Sequence, residues 1–160
     1  MITSSIVEVG VQITAPPEHV FGFFTDPARY VTWMGSQARL EPVPGGEYWI
    51  RMRDGFAAAG EFVELRPPHR VVFTWGWADD DAAQHVKGDQ PPADASALRA
   101  GSSRVEVLLA ADGTGTRLTL RHHDLATDQL REAHREAWTA YLARLGIRAA
   151  GGDPGPDPHA

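Results

Sequence analysis

No cysteine occurs in the chain, which excludes disulfide staples, thiolate nucleophiles and cysteine-based metal sites. Basic charge is also short: 15 Lys and Arg stand against 21 Asp and Glu, a formal net charge of −6. The arginines are interleaved with acids along the sequence. A phosphate backbone requires concentrated positive charge, so nucleic acid is not an expected partner. No apolar run approaches the roughly 18 residues of a membrane span. The N-terminus lacks a basic segment followed by an apolar one, so no secretory signal is expected either. A soluble, cytoplasmic protein without membrane contact is the default expectation. Missing too are a Gly-rich phosphate loop, a nucleophile elbow and a His-Glu zinc helix.

What is present is pattern, and its strongest stretch is Leu125 to Leu145, LATDQLREAHREAWTAYLARL. Leu130, His134, Ala137, Trp138, Tyr141 and Leu145 recur at three- and four-residue steps and share one face of a helix. Thr127 or Asp128 can cap its start, and Gly146 sits where a stop is expected. A helix of that span is on the order of 28 Å long, enough to cross a sheet of nine-residue strands, each roughly 30 Å long.

The preceding chain supplies such strands. Val7, Val9, Val11 and Ile13 alternate with polar residues, as in a half-buried strand. Thr14 is a candidate cap for a short helix with Pro16 and Pro17 in its first turn, and Asp26-Pro27 opens a second through Tyr30 and Trp33. A meander follows. Arg39–Val43 is a weak strand, and Pro44-Gly45-Gly46 is a turn. Tyr48, Ile50 and Met52 then share a face opposite Glu47, Trp49, Arg51 and Arg53. Asp54-Gly55 reads as a hairpin turn, Ala58–Leu65 as a strand with blurred alternation, and Pro67-Pro68-His69 as a turn. Val71, Phe73, Trp75 and Trp77 share the next inward face. After Arg104–Ala111 and the turn at 112–115, Thr116, Leu118, Leu120 and His122 alternate with Arg117, Thr119, Arg121 and His123. Between these strands, 78–102 loses all pattern and is expected to be a mobile insertion, with a pocket lid or interaction loop as alternatives. Residues 148–160 read as a disordered tail. The result is a single α+β domain over 1–147: a run of antiparallel strands covered by one long helix and two short ones.

Several segments resemble a known family. Ile13-Thr14-Ala15-Pro16-Pro17-Glu18-His19-Val20-Phe21, with Thr25-Asp26-Pro27 and Trp33, resembles the opening of the START-like, Bet v 1-like (SRPBCC) superfamily. The closest branch is the one named after the C-terminal domain of the Hsp90 ATPase activator. Pro44-Gly45-Gly46, the run Gly60 to Trp75, and Gly113-Thr114-Gly115-Thr116 with Leu118 are similar to that branch. So is His134 through Leu145, where Ala137-Trp138 stands for the usual Gly-Trp. The resemblance implies a helix-grip fold, a curved antiparallel sheet wrapped around the long C-terminal helix, with a hydrophobic cavity between them. It does not imply one activity. The sequence does not show the extra N-terminal domain of the eukaryotic co-chaperones, so an Hsp90-like chaperone is not an expected partner.

The expected ligand-binding residues are Tyr48, Ile50, Phe73, Trp75, Trp77, Leu118, Leu120, His134, Trp138 and Tyr141. His134, in the middle of the helix's apolar face, is either a core histidine bonded to backbone or Tyr, or a polar anchor or acid/base group. No other catalytic candidate stands out. His122-His123-Asp124 resembles a metal cluster, but adjacent strand residues point to opposite faces. Neither metal nor cofactor is expected. His122 can meet His134 only if the strand end faces the helix. Asp79-Asp80-Asp81 and the Arg51, Arg53, Asp54 group read as solvated charge. The expected function is binding of a small hydrophobic or aromatic molecule without catalysis. The alternatives are a polyketide cyclase- or hydratase-like enzyme using His134, Tyr48 and Tyr141, and a co-chaperone-like protein-binding module. A homodimer is left open.

Overall fold

Alternating apolar residues pair into a sheet whose inner face needs a cover, and the long amphipathic helix supplies it. The computed structural model describes residues 6–52, 55–78 and 98–155. Its elements are β1 (Val7–Ile13), α1 (Pro17–Thr25), α2 (Pro27–Tyr30), β2 (Gln37–Leu40), β3 (Glu47–Arg51), β4 (Ala57–Arg66), β5 (Arg70–Trp75), β6 (Ser103–Asp112), β7 (Gly115–His123) and α3 (Asp128–Ala149). The seven strands form one open sheet in the order β1-β7-β6-β5-β4-β3-β2, every pairing antiparallel. This is the expected α+β helix-grip architecture. The first strand returns to pair with the last, so α1 and α2 must cross one end of the sheet before the meander starts.

Local chemistry explains most boundaries. The N-cap of α1 is Pro16, without a side-chain bond, and Pro17 opens the helix. The expected cap at Thr14 is therefore corrected: prolines whose N–H is not needed make the first turn. Asp26 caps α2 by accepting from the Ala28 N–H at 3.0 Å, and Thr127 caps α3 by accepting from the Leu130 N–H at 3.1 Å. The blurred alternation in β4 is a bulge. The register slips between Phe62 and Glu64, leaving Val63 exposed between buried Phe62 and the outer-face Glu64. Asp124, at φ 69°, sits in the left-handed region that Asp tolerates better than most residues. It turns the chain from β7 toward α3.

Several expectations change. Helix α3 does not stop at Gly146 but runs to Ala149, which is buried, so Arg148 belongs to the helix rather than to a tail. Arg144 ties the following residues back, donating to the Gly155 carbonyl at 2.9 Å, and to the Trp33 carbonyl at 3.0 Å. Leu142 joins the buried face of α3. Trp49, on the outer side of β3, is nonetheless buried, because the guanidinium carbons of Arg39 and Arg51 lie 3.9 and 4.9 Å from its ring centre. The end of the patternless segment also packs: Leu98 is a core residue, and its carbonyl accepts from the Trp77 N–H at 2.9 Å. Gly76 makes this possible, since a Cβ there would lie 1.6 Å from the Arg99 carbonyl oxygen. The remainder of the expected mobile segment (79–97, with Asp79-Asp80-Asp81), Arg53 and Asp54 of the expected hairpin, and the tail beyond Gly155 lie outside the described residues.

The two faces of the sheet are chemically opposite. The inner one is apolar and aromatic. The outer one carries a charge ladder across five strands. Arg66 and Arg70 both pair with Glu64, Arg70 at 2.9 Å. Arg70 also pairs with Glu106, which His123 approaches at 3.2 Å, while Arg121 bonds to Glu8 at 2.7 Å. Burial pushes the Glu106 carboxyl up, but the bonds from His123 and Arg70, with their charges, outweigh it and hold it below its ordinary value. Glu64 is held low as well, first by its bond from Arg70.

A carboxylate with a depressed folded-state pKa stabilises above its unfolded value, and that stability is lost as pH falls through the folded value. This contribution of Glu106 is complete above pH 4.5 and fades below it. Glu106→Gln should therefore cost about 1 kcal/mol at pH 7, the solvent-screened end of charge-assisted bonds. The gap to wild type should narrow below pH 4. Denaturant unfolding at both pH values checks this.

Candidate functional site

The inner ends of β5, β6 and β7 meet the middle of α3 in a continuous set of rings. Trp75, the last residue of β5, lies 5.2 Å from Trp138, 5.9 Å from Trp77, 6.1 Å from Tyr48 and 6.2 Å from His122, centre to centre. Tyr48 stacks on Phe73 at 4.0 Å and 14° and meets Tyr30 edge-on at 5.9 Å. His122 meets His134 edge-on at 5.0 Å. Strand period two puts Trp75 and Phe73 on one face of β5 and His122 on that of Leu120 and Leu118 in β7. Helical period 3.6 brings His134 and Trp138 over them from α3.

One polar chain runs through these rings. The Trp138 indole N–H donates to His122 Nδ1 at 3.0 Å. His122 Nε2 is 2.7 Å from Ser103 Oγ, and Ser103 Oγ donates to the Trp75 carbonyl at 2.8 Å. An indole N–H can only donate, so Nδ1 must accept. The proton of the neutral ring is then on Nε2, which donates to Ser103. Burial, and then the neighbouring His134 and His123, push the His122 pKa well below 6.5, in agreement with a neutral ring. His134 is buried too, and its Nδ1 lies 2.8 Å from the Leu130 carbonyl one helical turn back. A carbonyl only accepts, so Nδ1 donates there.

A second polar pair lies deeper. The hydroxyls of Tyr30 and Tyr48 share a hydrogen bond, and Tyr30 Oη is 3.7 Å from Met34 Sδ. Burial raises both phenols, and for Tyr48 the neighbouring Tyr30 raises it further. Both stay protonated through the neutral range.

The tryptophans divide into two groups. Trp33 donates its indole N–H to the Phe23 carbonyl at 3.1 Å, and Trp138 donates to His122. The Nε1 atoms of Trp75 and Trp77 are both shielded from solvent and have no hydrogen-bond partner among the described residues. Leaving a buried donor unpaired costs about 1–3 kcal/mol.

Of the residues expected to line a ligand site, Tyr48, Phe73, Trp75, Trp77, His134 and Trp138 fall in or beside this ring cluster. Ile50, Leu118, Leu120 and Tyr141 are buried as well. Leu118 and Leu120 pair with Val11 and Val9 of β1, toward the other edge of the sheet. Sequence reasoning missed Tyr30 and Ser103. Tyr30 falls in a helix of one turn, and Ser103 opens β6 directly after the patternless 78–102 run, where no pattern marks it. His122 and His134 do meet, while His123 faces the outer charge ladder. Among the described residues no group of three His, Asp or Glu side chains stands close enough to hold a metal ion, and no helix is long and apolar enough to cross a membrane.

Fold and interior define a helix-grip α+β protein of the Bet v 1-like type. The chain belongs to the family of activator of Hsp90 ATPase homolog 1-like proteins, which matches residues 14–149. The AHSA1-like protein of Rhizobium etli is 35% identical over 100% of this chain and 93% of its own, with a TM-score of 0.69. DynU16, a protein in the dynemicin biosynthetic locus, is 19% identical over 97% of this chain and 51% of its own, with a TM-score of 0.75. The Aha1 dimer of Colwellia psychrerythraea is 16% identical over 95% of this chain and 98% of its own, with a TM-score of 0.70. At these last two identities the likeness shows the fold alone. No curated protein matches the chain.

The polarity of the relay has a direct readout. Because the folded pKa of His122 is depressed, the unfolded chain binds its proton first, and folding stability falls as pH drops below 6.5. The slope from this one group is at most about 1.4 kcal/mol per pH unit. Long-range proton–nitrogen NMR of the imidazoles should find His122 with its proton on Nε2 and unchanged between pH 7.5 and pH 5. A His122 resonance titrating near pH 6.5 would contradict the relay.

Proposed function

We propose that this protein binds a small hydrophobic or aromatic molecule between the inner face of the sheet and α3, without converting it. The observation that carries this reading is a gradient of burial along the ring cluster. Trp77 is half-buried, Trp75 is 3% exposed and Tyr48 is 0% exposed, and consecutive rings lie 5.9 and 6.1 Å apart. Aromatic side chains that lead from the surface to the middle of the molecule are the lining a flat apolar guest needs. The Bet v 1-like architecture supports the reading, since it sets a long helix over a curved sheet.

The titratable groups favour binding over chemistry. Both ring nitrogens of His122 are committed to the relay, and His134 Nδ1 is committed to its own helix. The phenols of Tyr48 and Tyr30 are held protonated and bonded to each other, which suits hydrogen-bonding anchors rather than bases. A cyclase- or hydratase-like reaction needs a group poised to exchange a proton near neutral pH. Likeness to DynU16 supplies shape and no chemistry.

Quenching of intrinsic tryptophan fluorescence tests the reading with two uncharged probes, 1-naphthol and N-phenyl-1-naphthylamine. Wild type should saturate, and Trp77→Ala should bind about tenfold more weakly, equivalent to about 1.4 kcal/mol. Because Trp77 is half-buried, the variant should stay folded by circular dichroism. Failure of both probes to bind wild type, or equal affinity for the two proteins, would contradict it.

A further inference from the structure

We infer that the guest carries a neutral hydrogen-bond acceptor, of the aromatic-carbonyl class, and that the indole N–H groups of Trp75 and Trp77 donate to it. The inference rests on the binding reading above and names the chemistry of the ligand. Its basis is the contrast among the tryptophans. Trp33 and Trp138 each place their N–H on an acceptor of this chain, whereas the Nε1 atoms of Trp75 and Trp77 are buried with no partner among the described residues.

An indole nitrogen only donates, so whatever satisfies it must accept. The two residues are two apart in sequence, across the Gly76 close approach, and their rings meet edge-to-face at 5.9 Å and 69°. A carbonyl oxygen has two lone pairs and can take two donors. The ring neighbours of Trp75 are Tyr48, Trp77, Trp138 and His122. Tyr and Trp side chains are neutral here, and His122 is held in its neutral tautomer by the relay. Nothing in that set offsets a buried carboxylate or phosphate, whose desolvation is costly without a counter-charge. A neutral oxygen on a flat ring system meets both demands: ring faces against Trp138 and Tyr48, and an acceptor toward the two indoles. Phenylalanine at 75 and 77 would make a similar apolar wall without a buried donor, so the donors point to what the wall receives.

The test compares 9-fluorenone with fluorene, the same tricycle with and without the carbonyl. The protein is labelled with ¹⁵N-tryptophan, and its indole signals are assigned with Trp75→Phe and Trp77→Phe. Fluorenone should bind roughly threefold to tenfold more tightly than fluorene, the range for one or two net hydrogen bonds. It should move the Trp75 and Trp77 indole protons downfield while leaving the Trp33 proton in place. Each Trp→Phe variant should lose part of the preference for fluorenone and keep its affinity for fluorene, which separates a lost donor from a lost fold. Equal affinity for the two compounds overturns the inference and leaves the binding reading standing, because donors satisfied in another way gain nothing from the carbonyl. If neither compound binds wild type, the binding reading fails and the inference falls with it.

Discussion

The hydrogen-bonded relay from Trp138 through His122 and Ser103 to the Trp75 carbonyl is the constraint on which the interior depends. It crosses from α3 to β7, β6 and β5, and its direction is forced. The indole can only donate, so the imidazole must accept on one nitrogen and donate from the other, and the serine must pass its own proton onward. Buried polar chains of this kind stabilise when complete and are costly when any member is missing. The relay therefore sets the height and rotation of α3 over the sheet at the point where the aromatic rings gather. It also takes His122 out of acid/base chemistry.

The sheet separates two kinds of energetics. On the outer face the charges of Glu64, Arg70, Glu106 and His123 interlock at partly buried positions that water still reaches, and each pair contributes modestly. On the inner face Tyr48, Phe73, Trp75 and Trp138 are almost fully buried. Each large apolar side chain contributes about 1.5–3 kcal/mol through burial alone. Among the described residues, the indole donors of Trp75 and Trp77 are buried without a partner, and Trp77 is the half-buried end of the ring cluster.

Periodicity made the fold legible. The three- and four-residue steps through Leu130, Trp138 and Leu145 marked α3, and alternation marked β1, β5 and β7. The short motifs around Pro16 and Gly60 carry the likeness to the family in the sequence itself. What periodicity could not carry was contact between distant segments. Ser103 and His122 lie 19 residues apart, and only the β6–β7 register brings them together. Trp49 and Leu98 are buried by neighbours, Arg39 and Arg51 for the one and the Gly76 close approach for the other, which no local pattern announces. The end of α3 was misread because Gly146 is a weak breaker when Ala149 beyond it still has a core to join. The candidate lining was partly legible, since the aromatic residues of β5 and α3 share the inward faces, but the pairing of their polar atoms was not.

The proposed aromatic guest would sit against Trp75 and Trp138 under α3. Isotope-filtered nuclear Overhauser spectroscopy on uniformly ¹³C-labelled protein with unlabelled 1-naphthol tests it most directly. Contacts from the naphthol ring protons to the side chains of Trp75, Trp77, Trp138 and Tyr48 are the expected result. Contacts confined to the outer charged face, or the absence of any intermolecular contact at a saturating probe concentration, would contradict it.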